Sequence, residues 1–398
     1  MGSFFVLRAI QNGQITPLLS PTPTPTRTLN SYALEGETHF KAGNLEKAIV
    51  AFKNAVKVDP NDVELWAELA RIQVYSTTQI TTDTGKRNRL NEAFDSIGKG
   101  FAISSENSML HAVKAFAFDW YGSSAIAGED WQKYLNQGEQ EAVQAIQLDS
   151  QNDLAKAYYA ELLVDQQKWT QADQYISQAL EKSSDQLDII RVAGYVQESL
   201  GNYKQAIDYY EKAIAIDPNM NSLYISVGAN YRKLADLSAN AIQRKANYEL
   251  ALEAFAKAVK INEQQGVKDP IPLISIANTY VQMGEFFSAA RNMIKAVEYN
   301  PADPTVYGQL GIVYYKARNY EGSIPALECY VRGCTPAKSC LVRNGGEECS
   351  TDSIPDITIE AQPLSQNTVA YYFTYGSVLA GLHQPSNGYC DEAMKVFK

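Results

Sequence analysis

One spacing governs most of this chain. Gly36, Ala48, Phe52, Ala55 and Pro60 stand 12, 4, 3 and 5 residues apart. The same steps return as Ala160-Ala172-Ile176-Ala179-Ser184, Gly194-Ala206-Tyr210-Ala213-Pro218, Ala277-Ala289-Met293-Ala296-Pro301 and Gly311-Ser323-Leu327-Tyr330-Thr335. Residues three and four apart share a helix face, small residues let two helices approach closely, and a proline beyond the second helix stops it. The spacing predicts antiparallel helix pairs stacked one upon the next, each packing only on its neighbours.

Three further units, Ala70-Ala93-Ile97-Gly100-Ser105, Ala115-Gly138-Ala142-Ala145-Ser150 and Gly228-Ala251-Phe255-Ala258-Glu263, keep the last three steps but widen the first from 12 to 23. Eleven residues are close to three helical turns, so they either lengthen both helices of a hairpin or form a loop. Thr77 to Gly85, rich in β-branched Thr, reads as loop.

The arrangement resembles the tetratricopeptide repeat family, whose Trp/Leu/Gly/Tyr…Ala…Phe…Pro pattern spans about 34 residues. Tyr32, Gly36, Ala48, Phe52, Ala55 and Pro60 fall on that pattern, and Trp66, Leu69 and Ala70 open the next unit. The resemblance implies an all-α, right-handed superhelical solenoid with eight repeats at 29–62, 63–107, 108–152, 153–186, 187–220, 221–265, 270–303 and 304–337. An insertion at 338–367 and a partial ninth repeat at 368–398 follow, the latter carrying Tyr372, Gly376, Leu379, Ala393 and Phe397. Because solenoids cover their terminal apolar faces, the natural protein is expected to continue beyond Lys398.

Ahead of the repeats, residues 1–16 form a short apolar stub and residues 17–28 a Pro/Thr-rich linker that favours extended polyproline II. The stub is too short to span a bilayer. It reads either as the end of a membrane anchor, which places the repeats outside the cytoplasm on a bacterial envelope, or as a tag-derived or frayed terminus of a cytoplasmic protein.

Cys329, Cys334, Cys340 and Cys349 cluster within 21 residues, and Cys390 follows the insertion. The insertion has little helical periodicity, and a loop of that length needs support against its ordering entropy. Disulfides would supply it in an oxidising compartment; unbonded thiols or zinc are the other readings, although the gaps of four, five and eight residues lack the compact pairs zinc prefers. Five is odd, so one cysteine is free or pairs beyond this chain.

No phosphate-loop, dinucleotide, zinc-protease or esterase motif occurs, and we expect no catalytic residue, metal or cofactor. His39 and His111 fall on first helices as packing residues, His383 and Cys390 read as a loop histidine beside a structural cysteine, and Asp149, Asp153, Glu161 and Asp165 read as solvated-face charges. Lys+Arg 35 against Asp+Glu 45 gives a net charge of −10, which disfavours nucleic acid.

In the family the first helix of each pair lines a concave face. Carried onto this chain, that surface holds Ala157, Glu161, Arg191, Tyr195, Ile225, Ala229, Arg232, Ile274, Asn278, Gly308, Ile312 and Tyr315. Arg191, Tyr195, Arg232 and Tyr315 are the expected anchors for a partner. Ile274 and Asn278 stand where carboxylate-gripping members carry Lys and Asn, so the clamp lacks its Lys. The expected function is a non-enzymatic scaffold for protein or peptide partners. The alternatives are a structural subunit that self-associates or joins a membrane assembly, and the recognition arm of an enzyme.

Overall fold

The computed structural model describes residues 29–347, 349 and 356–398; the stub and linker expected at 1–28 lie outside them. Helices α1 (Leu29–Lys41) and α2 (Leu45–Val58) form the first antiparallel pair. The next three are α3 (Val63–Ser76) with α4 (Asp83–Ile103), α5 (Ser108–Gly122) with α6 (Trp131–Leu148), and α7 (Asp153–Asp165) with α8 (Trp169–Leu180). Then come α9 (Leu187–Ser199) with α10 (Tyr203–Ile216), α11 (Asn221–Leu237) with α12 (Ala241–Gln265), α13 (Ile271–Met283) with α14 (Phe286–Tyr299), and α15 (Pro304–Lys316) with α16 (Tyr320–Arg332). A short helix α17 (Pro336–Arg343) precedes the last pair, α18 (Val369–Gly381) and α19 (Tyr389–Phe397). Among the described residues there is no strand, only an isolated bridge between Cys334 and Ile359. The molecule is an all-helical solenoid of helix pairs.

The recurring steps acquire a steric meaning. A Cβ on Gly36 would lie 2.3 Å from the Phe52 ring, on Gly194 2.7 Å from Tyr210, on Gly228 2.6 Å from Phe255 and on Gly376 2.4 Å from Phe397. In Ala70/Ile97, Ala160/Ile176 and Ala277/Met293 the facing residue is aliphatic and a fully buried alanine takes the glycine's place, whereas Gly311 is kept against Leu327, 2.5 Å from where its Cβ would lie. Small and large thus trade volume across each pair to keep the interior close-packed. Ala48, Ala55, Ala206 and Ala213 are likewise fully buried.

The turns inside pairs explain why some hairpins are long. Gly43, Gly201 and Gly284, seven residues after the small residue of their units, adopt φ of 72°, 80° and 79°, and Gln167 and Arg318 take the same left-handed conformation at the equivalent places. Such a residue ends a helix by returning amides to its last carbonyls, as Asn44 N–H does to His39 O (2.9 Å) and Gly43 N–H to Phe40 O (2.8 Å). The three widened units lack it: their equivalents Thr77, Gly122 and Ala235 have no positive φ. Their second helices run to 21, 18 and 25 residues in α4, α6 and α12. The expected loop at Thr77–Gly85 is corrected in part. Thr77–Gln79 is a 3-10 turn, but α4 begins at Asp83, because the Thr82 side chain accepts the Gly85 N–H and caps a helix there.

Between pairs a second motif repeats. Trp66 Nε1 donates to Pro60 O (2.9 Å), Tyr224 Oη to Pro218 O (3.1 Å) and Tyr307 Oη to Pro301 O (2.8 Å), while His111 Nε2 stands 3.3 Å from Ser105 O. Each ring sits six residues beyond the carbonyl it caps. Asp62, Asn107, Asn152 and Asp303 then cap the following helix by accepting its first free amides.

The insertion differs from expectation in containing α17, which starts on Pro336 at its first turn. Cys329 is bonded to Cys334 and Cys340 to Cys349, with Cα separations of 4.7 and 6.2 Å, and Cys390 is a free, exposed thiol. Cys334 exchanges backbone hydrogen bonds with Ile359 at 2.9 and 3.0 Å, and Ser339 Oγ donates to Ile357 O (2.7 Å), so the returning segment of the insertion is tied to the residues just beyond α16 and to α17.

Candidate functional site: the inner face

First helices line the inner side of the solenoid, and in the N-terminal part that side is filled by its own side chains. Arg71 on α3 reaches Asp188 on α9 at 2.7 Å, 117 residues away, and Tyr75 and Tyr158 both donate to the same Asp188 carboxylate. Arg191 on α9 grips Glu161 on α7 through both terminal nitrogens (2.7 and 2.5 Å), and its Nε donates to Tyr75 Oη (3.1 Å). Tyr75, Phe116 and Trp120 pack their rings around the Arg191 guanidinium at 5.7 to 5.9 Å. Further closing bonds run from Gln79 Nε2 to Gly43 O (2.8 Å) and Gln265 Oε1 (3.0 Å), and from Asn219 Nδ2 to Lys41 O (2.9 Å). The first and second pairs therefore meet the fifth and sixth.

Beside this network lies a cavity of about 370 Å³, bounded by Tyr75, Asp119, Trp120, Ser123, Glu161, Asp165, Arg191, Tyr195, Tyr210 and Leu223, with Lys86 also at its wall. Burial, followed by the charges of Asp165 and Glu161, pushes the Asp119 carboxyl well above the ordinary carboxylate range. Burial also lifts Asp165 to about 6, against hydrogen bonds from Tyr195 and Ser123. Asp188 behaves oppositely: burial raises it, but Arg71, Arg191 and its two tyrosine donors hold it below the usual range.

The anchors expected from sequence divide between these regions. Arg191 and Tyr195 are engaged inside the network, Tyr195 with Asp165. Arg232 lies half-buried over the Phe255 ring at 5.7 Å. Asn278 is exposed, and Tyr315, 41% exposed, packs its ring against Tyr320 at 5.8 Å with the planes tilted by 54°. Ala157 and Gly308 are buried and present no surface. Asp153 and Glu161 are not solvated-face charges: both are buried, Asp153 against Lys156 (2.9 Å) and Ser183 (2.8 Å). His39 is half-buried, and His111 faces Glu141 at 2.6 Å with its ring against Phe101. His383 Nδ1 accepts the Cys390 backbone N–H (3.3 Å), so its approach is to the Cys390 backbone.

Asp119 is a residue that sequence reasoning missed. Its signal was present: it is the lone acid of the apolar helix α5, within Ala117-Phe118-Asp119-Trp120-Tyr121. Among the described residues no group of three or more His, Cys, Asp or Glu is placed to hold a metal ion.

Stacked helix pairs with a lined inner face define a repeat protein of the helical-solenoid class. Tetratricopeptide repeat models match residues 29–72, 194–220 and 274–337. Those segments are tetratricopeptide repeats, and repeats of this kind serve as protein-interaction scaffolds. In fold it is similar to the human IFIT1 dimer with PPP-AAAA, at 15% identity and a TM-score of 0.53 over 94% of this chain and 90% of that one. It is equally similar to the human IFIT1 dimer with m7Gppp-AAAA, at 15% identity and a TM-score of 0.53 over 99% and 92%. A tetratricopeptide repeat protein from Parabacteroides merdae matches at 14% identity and a TM-score of 0.40, over 72% of this chain and 98% of that one.

Proposed function

We propose that this chain is a non-enzymatic scaffold that gathers partner proteins or peptides on the C-terminal part of its inner face. The observation that carries the reading is the contrast between the two parts of that face. Across the first six pairs Arg71, Asp188, Glu161 and Arg191 satisfy one another, whereas α13 and α15 leave Ile271, Asn278 and Tyr315 exposed. Exposed tyrosine, isoleucine and amide side chains suit an extended peptide, which gains area from the apolar groups and hydrogen bonds from Asn278. RNA is a poorer occupant here. The inner cavity presents Asp119, Glu161 and Asp165, and the net charge is −10, so a phosphate chain meets repulsion there.

Two disulfides support a place in an oxidising compartment, and the apolar stub with its Pro/Thr linker supports attachment to an envelope membrane. No helix of the described residues is long and apolar enough to cross a bilayer, so the attachment rests on the N-terminal segment.

Cross-linking in native membranes, followed by peptide mapping, tests the reading. Foreign peptides linked near Asn278 and Tyr315, and lost with Tyr315→Ala, support it. Links only between copies of the chain overturn it in favour of a self-associating structural subunit. Alkylation without reductant is expected to label Cys390 alone; labelling of all five cysteines in freshly isolated protein overturns the compartment.

A further inference from the structure

The inner cavity holds more acid than base. Arg191 has its Nε and both terminal nitrogens engaged by Tyr75 and Glu161, and Arg71 is taken by Glu68 and Asp188. Lys86, at the wall, acts on Asp269 and makes no ion pair with Asp119 or Asp165. Asp119 and Asp165 are left facing each other with no ion pair of their own, since Arg191 spends its contacts on Glu161 and reaches Asp119 only as a more distant charge. Asp119 is only 1% exposed, and neither of its carboxylate oxygens receives a hydrogen bond. Burying a carboxylate that accepts no hydrogen bond is costly, and Asp165 on the same cavity wall adds repulsion to that cost.

We propose that this cavity is a binding site for a primary alkylammonium group, held between Asp119 and Asp165 with its alkyl stem along Trp120 and Leu223. The chemistry is specific in kind. An ammonium brings three donors and a positive charge to Asp119, whose oxygens accept no hydrogen bond, and to Asp165, which accepts from Tyr195 and Ser123 but pairs with no cation, while the flanking rings accept a cation on their faces. The cavity reaches solvent at Ser123, which is exposed. Its volume of about 370 Å³ lies within the range of small-ligand pockets. The site is separate from the peptide face around Asn278 and Tyr315, so either can fail without the other.

Titration calorimetry on the full chain tests the site with 1,4-diaminobutane, with Nα-acetyl-lysine methylamide, and with 1,4-butanediol as the uncharged control. Saturable binding of an amine and none of the diol is expected, weakened about tenfold or more by Asp119→Asn. Binding should also weaken between about pH 7.5 and about pH 5 as Asp165 takes up its proton, with Asp119, Glu161, Arg191, Tyr195, Tyr75, Tyr210 and Lys86 the other titratable groups around the cavity. Binding of the diamine alone identifies a free amine as the ligand class; binding of the acetyl-lysine amide as well identifies a lysine side chain. Absence of binding by both amines at millimolar concentration overturns the proposal, as does unchanged affinity in Asp119→Asn. Should that variant not fold, Asp165→Asn, on a half-buried residue, carries the same comparison.

Discussion

Two aspartates on the inner face show how environment decides what a buried charge does. Asp188 has Arg71, Arg191, Tyr75 and Tyr158 around it, and despite its burial it titrates low. Its contribution to stability is fully present above the ordinary aspartate value of about 4 and is lost as pH falls through its folded value. Asp119, pushed up by burial and by Asp165 and Glu161, has the opposite sign. The folded state holds that proton more tightly than the unfolded chain, so stability declines as pH rises above about 4. Asp119→Asn removes the ionisation cost and is expected to stabilise the free protein by about 1–3 kcal/mol near neutral pH. Thermal melts from about pH 4 to about pH 7.5 should show the gap to wild type opening with pH; a variant less stable than wild type throughout would mean that the carboxylate is already satisfied. In the sequence, the single acid in an apolar helix marks Asp119 as unusual, but nothing local says that Asp165 and not a base would face it. Arg191 was legible as a strong side chain, and its bond to Glu161 explains why strength did not mean availability.

At the scale of elements, the chain was read most securely where one rule repeats. The Gly36–Phe52 and Ala160–Ile176 contacts are the same contact with volume moved from one partner to the other, and sixteen residues separate both pairs. Gly36→Ala places a methyl group against the Phe52 ring and is expected to cost about 1–3 kcal/mol. Phe52→Ile alone opens a void, but the two changes together recreate the Ala160/Ile176 arrangement, so their combined cost should fall below the sum of the singles. Denaturant titration of the four proteins measures that coupling, and strict additivity would refute the exchange of volume. The elements that resisted reading are those set by one local decision. Thr82 caps α4 in a stretch whose threonines suggest loop, and Pro336 starts α17 inside a segment without helical period, where two disulfides and the Cys334–Ile359 bridge supply the order that an apolar stripe supplies elsewhere.

The whole molecule adds what no repeat contains. Neighbouring pairs would stack without Arg71 meeting Asp188 or Gln79 meeting Gln265, contacts across 117 and 186 residues that leave no periodic trace in the sequence. They turn a quasi-linear array, in which each unit answers only to its neighbours, into one whose first pairs are stabilised by its fifth and sixth. Arg71→Met tests that closure because it keeps an unbranched stem and deletes the charge. Asp188 then retains Tyr75, Tyr158 and the more distant Arg191, and breaking such a buried pair is expected to cost about 3–5 kcal/mol. The loss should also be regional. Hydrogen exchange is expected to accelerate in α1 to α3 and in α9, and to stay unchanged in α15 and α18, which make none of the closing contacts. Uniform acceleration along the chain would show that all pairs unfold as a single unit, whereas acceleration confined to α3 would show that the contacts between distant pairs carry no coupling. Only the regional outcome leaves an inner face whose N-terminal part is rigid enough to hold Asp119 and Asp165 together while the C-terminal part stays open to a partner.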